Sequence, residues 1–402
     1  MTCYELGCRA FQVSANLAMP LLDWKEPKVL RGAGSVEALP GLISAMGLRR
    51  VLLVTEPGLM RLGLPDTLLR GLEREGVACA VYDKTEANPT IGNIEEAYAL
   101  YRENNCEGII GFGGGSPLDC AKGAGARAVW PRKSVLQLRG LLTVLKRLPP
   151  LFAVPTTAGT GSEATLACIV KDPDNGEKFA INDPVLRPKV AVLDPALTVS
   201  LPPNLTAHTG MDALVHAVEA FIGRGGAKWS NEKALQAARL IFANLEIAYA
   251  DGGNLAAREA MLEASFLAGV AFSRAYVGYV HGIAHALGGL YGVPHGLANA
   301  VIMPHVLAWY GEAAHAHLAR LAEAANLCEE GQNDAEKAAG FIAAIKEMNL
   351  RMNIPEGFDC IREEDIPLLA ARAVKESNPL YPVPKIMRRT ECENVIRGLM
   401  KS

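Results

Sequence analysis

Apolar and polar residues follow two different patterns along this chain of 402 residues. Up to about residue 195, short apolar runs rich in β-branched residues are separated by longer amphipathic stretches. They predict strands over 50–55, 77–82, 108–112, 151–155 and 190–194, with helices over 64–75 and 94–104. Strands that alternate with helices favour a parallel sheet covered by helices. The continuous apolar character of these runs indicates burial on both faces of the sheet.

After residue 195 the strand pattern stops, and stretches rich in alanine and leucine are separated by glycine or proline. This pattern predicts helices over 207–221, 231–248, 256–287, 297–309, 313–325 and 335–348. We therefore predict a fold of class α/β plus all-α. An α/β domain would span residues 1–195 and an all-helical domain residues 196–402.

Composition and charge narrow the class of protein. Half of the residues are hydrophobic, the formal net charge is −3, and there is no long basic run, so nothing favours a nucleic-acid or membrane-surface partner. The first 26 residues hold Glu5, Arg9 and Asp23 and lack the apolar region of a signal peptide. Nine dispersed cysteines without a CxxC pair are typical of reduced thiols. We expect a cytoplasmic protein.

Four of the eight histidines lie between residues 281 and 305. His281 and His285 are four residues apart in a predicted helix, which places both rings on one face. Glycines and a proline then break the helix, and His295 opens the next one. Neutral imidazole is the commonest protein ligand for divalent metals. Histidines that merely pack or cap a helical hairpin are the alternative.

A second pair with the same spacing strengthens the metal hypothesis. Asp212 and His216 lie on a predicted apolar helix, where a buried carboxylate requires a partner or a metal. With His281 and His295 they make one carboxylate and three imidazoles, a set that suits iron(II) or zinc.

A glycine-rich turn follows the predicted strand 108–112, with the sequence GGGSPLD over residues 113–119. Its glycines permit close approach to a phosphate. Ser116 is predicted as the N-cap of a helix and Asp119 as its capping-box partner, so the helix start would face a pyrophosphate. The spacing is not that of the usual dinucleotide fingerprint. A glycine-rich turn that binds nothing is therefore the alternative.

Other polar positions extend this candidate nucleotide site. Glu56, at the end of the predicted strand 50–55, would accept hydrogen bonds from a ribose and repel a 2′-phosphate, which favours NAD over NADP. The stretch 156–165 is dense in hydroxyl groups, and Lys178 follows in a hairpin-like region. Each also has a plain interpretation, as a solvated loop residue, a polar turn or a solubilising lysine.

Four segments then carry a family resemblance: GGGSPLDCAK, PTTAGTGSEAT, TGMDALVHAVEA and VHGIAHALGGLYGVPHGLANA. In this order, from about Pro27 to His305, they resemble the iron-dependent alcohol dehydrogenase family. The resemblance implies a Rossmann-like dinucleotide domain followed by an all-helical metal domain, in the arrangement of dehydroquinate synthase. It implies NAD and iron(II), or zinc, as cofactors, and a homodimer or larger homo-oligomer.

The resemblance also implies roles for individual residues. It places the metal on Asp212, His216, His281 and His295, and His285 beside the nicotinamide as a catalytic residue that is not a ligand. Asn88 falls in a loop near the adenosine, and Glu56 stands where the family usually has aspartate. The NAD contacts would come from Gly113, Gly114, Gly115, Ser116, Asp119, Thr156, Thr157, Thr165 and Lys178.

The predicted substrate side has its own character. Phe272 and Arg274 precede His281 on the predicted helix 256–287, with Arg274 two turns before His281. An arginine facing the site would hold an anionic group of the substrate. The alternative is a packing role, paired with Glu263 or with a partner subunit. Residues 377–380 read SNPL, where the family usually has Asn-Pro-Arg, so the pocket rim is expected to differ.

These observations predict a metal-dependent, NAD(H)-linked oxidoreductase that interconverts a small primary alcohol and its aldehyde, with an anionic substrate as one option. Two alternatives remain at this point. One is an NAD-using sugar-phosphate cyclase or lyase of the same fold, and the other is a non-catalytic structural descendant.

Overall fold

The computed structural model describes residues 2–22, 24–174 and 176–401. The chain divides into two compact units. One is Trp24–Ser200, and the other joins Leu201–Ser402 with Met1–Asp23, which contains helix α1 (Cys3–Ala18). The predicted boundary at residue 195 lies close to the observed one. The prediction that placed the first 23 residues in the α/β domain is wrong, because α1 packs within the helical unit.

A parallel six-stranded sheet forms the centre of the α/β unit, and a smaller sheet of three strands lies beside it. The strands are β1 (Lys28–Arg31), β2 (Arg50–Val54), β3 (Ala78–Tyr82), β4 (Gly108–Gly113), β5 (Gly140–Leu141), β6 (Leu151–Pro155), β7 (Ala167–Lys171), β8 (Lys178–Asn182) and β9 (Val190–Leu193). The large sheet has the order β1-β9-β6-β4-β2-β3, and the small one has the order β5-β8-β7. The predicted hairpin near residue 178 is the antiparallel pair β7–β8.

Helices cover this sheet on both faces, as alternating strand residues show. In β2, Leu52 and Val54 belong to one apolar cluster, while Val51 and Leu53 belong to another. All four side chains are buried, which confirms the predicted parallel sheet with two covered faces. The helices of this unit are α2 (Leu39–Ala45), α3 (Pro57–Arg61), α4 (Asp66–Arg74), α5 (Ile91–Glu103) and α6 (Gly115–Val129).

The second unit is helical after residue 201. Its helices are α7 (Pro203–Ile222), α8 (Lys228–Ala250), α9 (Leu255–Ala275), α10 (Tyr279–Tyr291), α11 (His295–Tyr310), α12 (His315–Ala324), α13 (Asp334–Arg351), α14 (Ile366–Ser377) and α15 (Arg389–Arg397). Helix α7 is buried along most of its length and packs closely on α8, since a Cβ at Gly210 would lie 2.2 Å from Leu245. Among the described residues, none of the helices is both long and apolar enough to cross a membrane.

The predicted helix 256–287 is wrong, because two separate helices cover this range. Helix α9 ends at Ala275, and Tyr276 takes a left-handed backbone with φ 63° and ψ −175°. Helix α10 begins only at Tyr279, where Glu219 of α7 accepts the backbone N–H groups of Gly278 and Val280. Arg274 and His281 therefore do not share one helix face.

Polar contacts dock α1 on the helical unit. The guanidinium group of Arg9 donates to the carbonyl oxygens of Val383 and Pro384, each at 2.7 Å. The amide of Gln12 donates to the carbonyl oxygen of Tyr381 at 2.7 Å. These directional contacts explain why the first residues belong to this unit.

Asp194 generates a stability prediction for the α/β unit. Its buried carboxylate accepts the backbone N–H groups of Gly34, Val36 and Ala196, each at 3.1 Å, and so ties the end of β9 to the turn after β1. Asp194→Ala leaves these donors without their acceptor and is expected to lower the free energy of unfolding by about 3 kcal/mol. Chemical denaturation measures the change. Asp194→Asn should lose less, and the exposed Glu75→Ala should change nothing; equal stability of all three would contradict the assignment.

Candidate metal centre and glycine turn

Helices α7 and α10 bring three of the four predicted metal ligands together. Asp212 and His216 lie one turn apart on α7, and His281 lies on α10. One ligand atom from each of the three lies within 4.8 Å of the other two, and all three residues are buried. Spacing within α7 thus places two donors on one face, and His281 of α10 adds the third.

The fourth predicted ligand, His295, is the first residue of α11 and lies at the edge of this group. Its Nε2 is 3.5 Å from Oδ1 of Asp212, and its ring centroid is 5.4 Å from that of His281. The side chain of His295 is 31% exposed, against 3% for Asp212. His295 therefore stands on the open side of an otherwise buried cluster.

Glu219, which the sequence reasoning missed, orients His281. Its Oε2 lies 2.7 Å from Nδ1 of His281 and also accepts the N–H of Gly278 at 2.8 Å. A hydrogen bond on Nδ1 fixes the ring so that Nε2 is the atom left for a metal. Burial raises the pKa of Glu219 to about 7, and its donors oppose that shift. The sequence signal was available, since Glu219 lies one turn after His216 on the same helix.

The protonation state of His281 also suits a metal ligand. Burial, together with the rings of His216, His295 and His285, holds the pKa of His281 well below its ordinary value. The ring is therefore neutral, which is the form that binds metals.

Asn299, also missed, reaches the predicted ligands from α11. Its Nδ2 lies 2.6 Å from Oδ1 of Asp212, 3.3 Å from Nε2 of His281 and 3.2 Å from Nε2 of His295. The residue is fully buried. Its position four residues after His295 puts both side chains on one face of α11.

The two predicted substrate residues, Phe272 and Arg274, lie near the end of α9 and have different surroundings. The ring of Phe272 stacks on His216, with centroids 4.2 Å apart and an interplanar angle of 15°. Arg274 is buried, and its guanidinium group donates to Gly225 O and, at 2.7 Å, to Asn16 Oδ1 of α1. These partners favour the packing interpretation of Arg274.

His285 lies one turn after His281 on α10, outside the buried group. Its ring stacks on that of His295, with centroids 5.1 Å apart. Nδ1 lies 2.6 Å from Oε1 of Glu376 on α14, which also accepts the hydroxyl of Tyr381 at 2.8 Å. His285 and Glu376 are separated by 91 residues, so no local sequence pattern could predict their contact.

In the α/β unit, the predicted nucleotide residues gather after three neighbouring strands. Glu56 follows β2, the glycine turn follows β4 and Thr156 follows β6. Since β6, β4 and β2 are adjacent and parallel, these residues lie at one edge of the sheet, where α/β folds bind ligands. The N–H of Asn88 donates to Ser116 Oγ at 3.1 Å, which adds its loop to the group.

The glycine turn is closely packed against the loop after β6. A Cβ on Gly113, which has φ 144°, would lie 2.7 Å from Pro117, and one on Gly115 would lie 2.8 Å from Thr160. The predicted capping box is wrong: α6 begins at Gly115 with Gly114 as N-cap, and no described side chain caps it. The steric demand of the turn, rather than a serine cap, sets the start of the helix, and no side-chain cap from the described part of the chain engages its first backbone N–H groups. Such N–H groups at a helix start favour an anion.

Two predicted cofactor residues, Asp119 and Thr165, are buried and hydrogen-bonded within the unit. Asp119 accepts Ser162 Oγ at 2.7 Å, and the Nζ of Lys122 donates to Ser162 Oγ at 2.7 Å and to Thr165 Oγ1 at 2.9 Å. Burial lowers the pKa of Lys122, and Asp119 opposes this shift. Both predicted residues therefore stabilise the loop that follows β6. Lys178, at the start of β8, lies in the hairpin.

Comparison with known proteins identifies the family. The iron-containing alcohol dehydrogenase model matches residues 26–195, and the model of the family's C-terminal part matches residues 206–400. The chain belongs to the iron-containing alcohol dehydrogenase family. It is 39% identical over 363 residues to 1,3-propanediol dehydrogenase of Klebsiella pneumoniae, covering 89% of this chain and 94% of that protein.

Two further relatives agree with this assignment. NAD-dependent methanol dehydrogenase of Bacillus methanolicus is 35% identical over 359 residues, or 88% of this chain and 94% of the relative. A crystal structure of 1,3-propanediol oxidoreductase superposes with a TM-score of 0.91 at 38% identity and covers 94% of this chain and 100% of that one. The predicted family, fold class and oxidoreductase activity are confirmed. The cyclase and non-catalytic alternatives are not supported.

The donor set fits the divalent cation that an iron-containing alcohol dehydrogenase requires. Asp212, His216 and His281 offer a carboxylate and two imidazoles in a buried place, and Glu219 holds the outer nitrogen of His281. Metal-binding histidines usually have such a carboxylate partner. The full ligand set with His295 stays a prediction.

Asn299 provides a test of this centre. Because its amide donates to Oδ1 of Asp212 at 2.6 Å, Asn299→Ala should let this carboxylate move and weaken metal binding roughly tenfold to a hundredfold. Metal retained after dialysis against increasing chelator, measured by atomic emission, gives the affinity. Asn244→Ala, an asparagine of α8 whose Nδ2 donates to Leu240 O, is the control. Equal retention by both variants would refute the role of Asn299.

Proposed function

We propose that this chain interconverts a small primary alcohol and its aldehyde with NAD, at a divalent metal held by Asp212, His216, His281 and His295. The observation that carries the proposal is the buried carboxylate–imidazole cluster, in which His281 is neutral and oriented by Glu219. The metal is iron(II) or zinc, since both accept these ligands.

The cofactors supply the reactive chemistry, while the chain binds and orients. A divalent cation held by the four residues would supply Lewis acidity towards the substrate oxygen, and bound NAD would supply the hydride chemistry. In the α/β unit, the first N–H groups of α6, with Ser116, Thr156 and Thr157, would bind the pyrophosphate. Asp119 and Thr165 hold this loop through Lys122.

His285 is the residue proposed to handle the alcohol proton. Its Nδ1 is engaged by Glu376, so Nε2 is the atom that would accept a proton. The side chain is 22% exposed, which lets the ring exchange that proton with solvent. General-base catalysis of this kind typically contributes a factor of about 10² to 10⁴.

We propose a small, neutral substrate. The relatives are named for 1,3-propanediol and methanol, and both are small primary alcohols. Phe272, stacked on His216, would limit the space beside the metal. Arg274, predicted to hold an anionic group, is buried with Gly225 and Asn16 as partners, so we do not assign it to the substrate.

Metal removal tests the proposed function. Chelation should abolish alcohol-dependent NADH formation, and iron(II) or zinc should restore it. Asp212→Ala removes the only carboxylate of the predicted set and should reduce metal content and activity at least a hundredfold, with no recovery on adding metal. NADH absorbance and atomic emission give the two values.

Asp334→Ala, at an exposed position on α13, is the matched control and should behave as wild type. Full activity of the chelated protein, or of Asp212→Ala, would rule out the metal-dependent reaction. A panel of neutral and anionic short alcohols identifies the substrate class.

Glu56 tests the cofactor preference. The side chain follows β2 and is half-buried, and burial raises its pKa. Its carboxylate should repel the 2′-phosphate of NADP, so Glu56→Ser is expected to raise kcat/KM with NADP about tenfold relative to NAD. Initial rates with both cofactors give this ratio, with the exposed Glu103→Ser as control. An unchanged ratio would place Glu56 away from the ribose.

A further inference from the structure

A hydrogen-bonded path leads away from His285. Oε1 of Glu376 lies 2.6 Å from Nδ1 of His285 and accepts the hydroxyl of Tyr381 at 2.8 Å. An ionised carboxylate offers acceptors only. Nδ1 must therefore carry a hydrogen atom, and Nε2 of neutral His285 keeps its lone pair.

The backbone that carries Tyr381 is held in turn by α1. Nε2 of Gln12 donates to Tyr381 O at 2.7 Å and to Pro379 O at 3.1 Å. Oε1 of Gln12 accepts from Arg9 at 2.8 Å, so both ends of the buried amide are engaged. Helix α1 therefore holds the backbone of Tyr381, and the side-chain hydroxyl of the same residue contacts Glu376, the partner of His285.

Helix α1 presents a polar face to the body of the unit. Its inward contacts come from Glu5, Arg9, Gln12 and Asn16, which lie three or four residues apart and so form one stripe. Its exposed large side chains are apolar, namely Tyr4, Leu6, Phe11, Val13 and Leu17. Surface helices usually bury the apolar face. Here directional hydrogen bonds, rather than apolar burial, connect the helix to its neighbours.

This helix lies outside the matched family regions, which begin at residue 26. We propose that Glu376 is a positioning residue, which fixes the ring and tautomer of His285 directly. Helix α1 supports Glu376 through Gln12 and Tyr381. The expected effect of this arrangement on turnover rests on the proposed function. The expected geometry of the His285 ring does not.

The first test observes the ring directly. Zinc-loaded protein with ¹⁵N-labelled histidine gives proton–nitrogen correlation spectra, in which His285→Asn identifies the His285 signals. Wild type should show the tautomer with hydrogen on Nδ1. Glu376→Ala should show a mixture or the other tautomer, while the signals of His315, far along the chain on α12, stay unchanged.

The second test is kinetic. Glu376→Ala should lower kcat about tenfold, while the KM for the alcohol and the metal content stay within about twofold. Glu376→Gln keeps an oxygen that can accept from Nδ1 and should lose less. Tyr381→Phe removes only one hydroxyl group and Gln12→Ala only one amide, so both should lower kcat by smaller amounts while the metal content stays unchanged.

Ser14→Ala, on the exposed side of α1, is the control and should match wild type. A wild-type tautomer and kcat in Glu376→Ala would overturn the proposal, and Gln12→Ala indistinguishable from Ser14→Ala would overturn the part played by α1. Failure of the proposed function looks different: wild type would be inactive with every metal, while the spectra would still report the ring of His285.

Discussion

The hydrogen bonds accepted by Glu219 determine the geometry of the helical unit around the predicted metal ligands. The carboxylate binds the first N–H groups of α10 and Nδ1 of His281. It therefore fixes where α10 begins, how it leaves α9, and which nitrogen of His281 faces Asp212. Gly278 is part of the same arrangement, because a Cβ there would lie 2.6 Å from Glu219 Oε1. Because one buried acid both caps α10 and orients His281, the position of this predicted metal ligand depends on where the helix begins.

In the α/β unit, a buried amine connects a helix to a loop in a similar way. Lys122 donates to Ser162, Thr165 and Ala167 O, and so ties α6 to the loop that flanks the glycine turn. An ammonium group so deeply buried requires several acceptors, and the loop supplies them. The hydroxyl-rich sequence after β6 thus has two uses. The hydroxyl groups of Ser162 and Thr165 satisfy Lys122, and those of Thr156 and Thr157 are the ones proposed for the pyrophosphate.

Short-range spacing made much of the site predictable, and long-range contacts made the rest unpredictable. Asp212 and His216 follow from a helix with one apolar face, and the strands follow from runs of buried residues. The break at Tyr276 does not, because Glu219 imposes it from another helix. The ion pair of Asp119 with Lys122 at 3.5 Å and its bond from Ser162 also depend on residues that the glycine-turn motif does not reveal. Glu376 meets His285 only through the packing of α14 on α10.

The backbone of Tyr276 limits which residues evolution or a laboratory library can place there. With φ 63° and ψ −175°, it occupies a region that is essentially restricted to glycine and costs about 1–3 kcal/mol for other residues. Valine, isoleucine and threonine would be the least tolerated, since branching at Cβ adds crowding. Attempts to widen substrate range beside Phe272 should therefore begin with glycine at this position and vary its neighbours, rather than randomise the tyrosine itself.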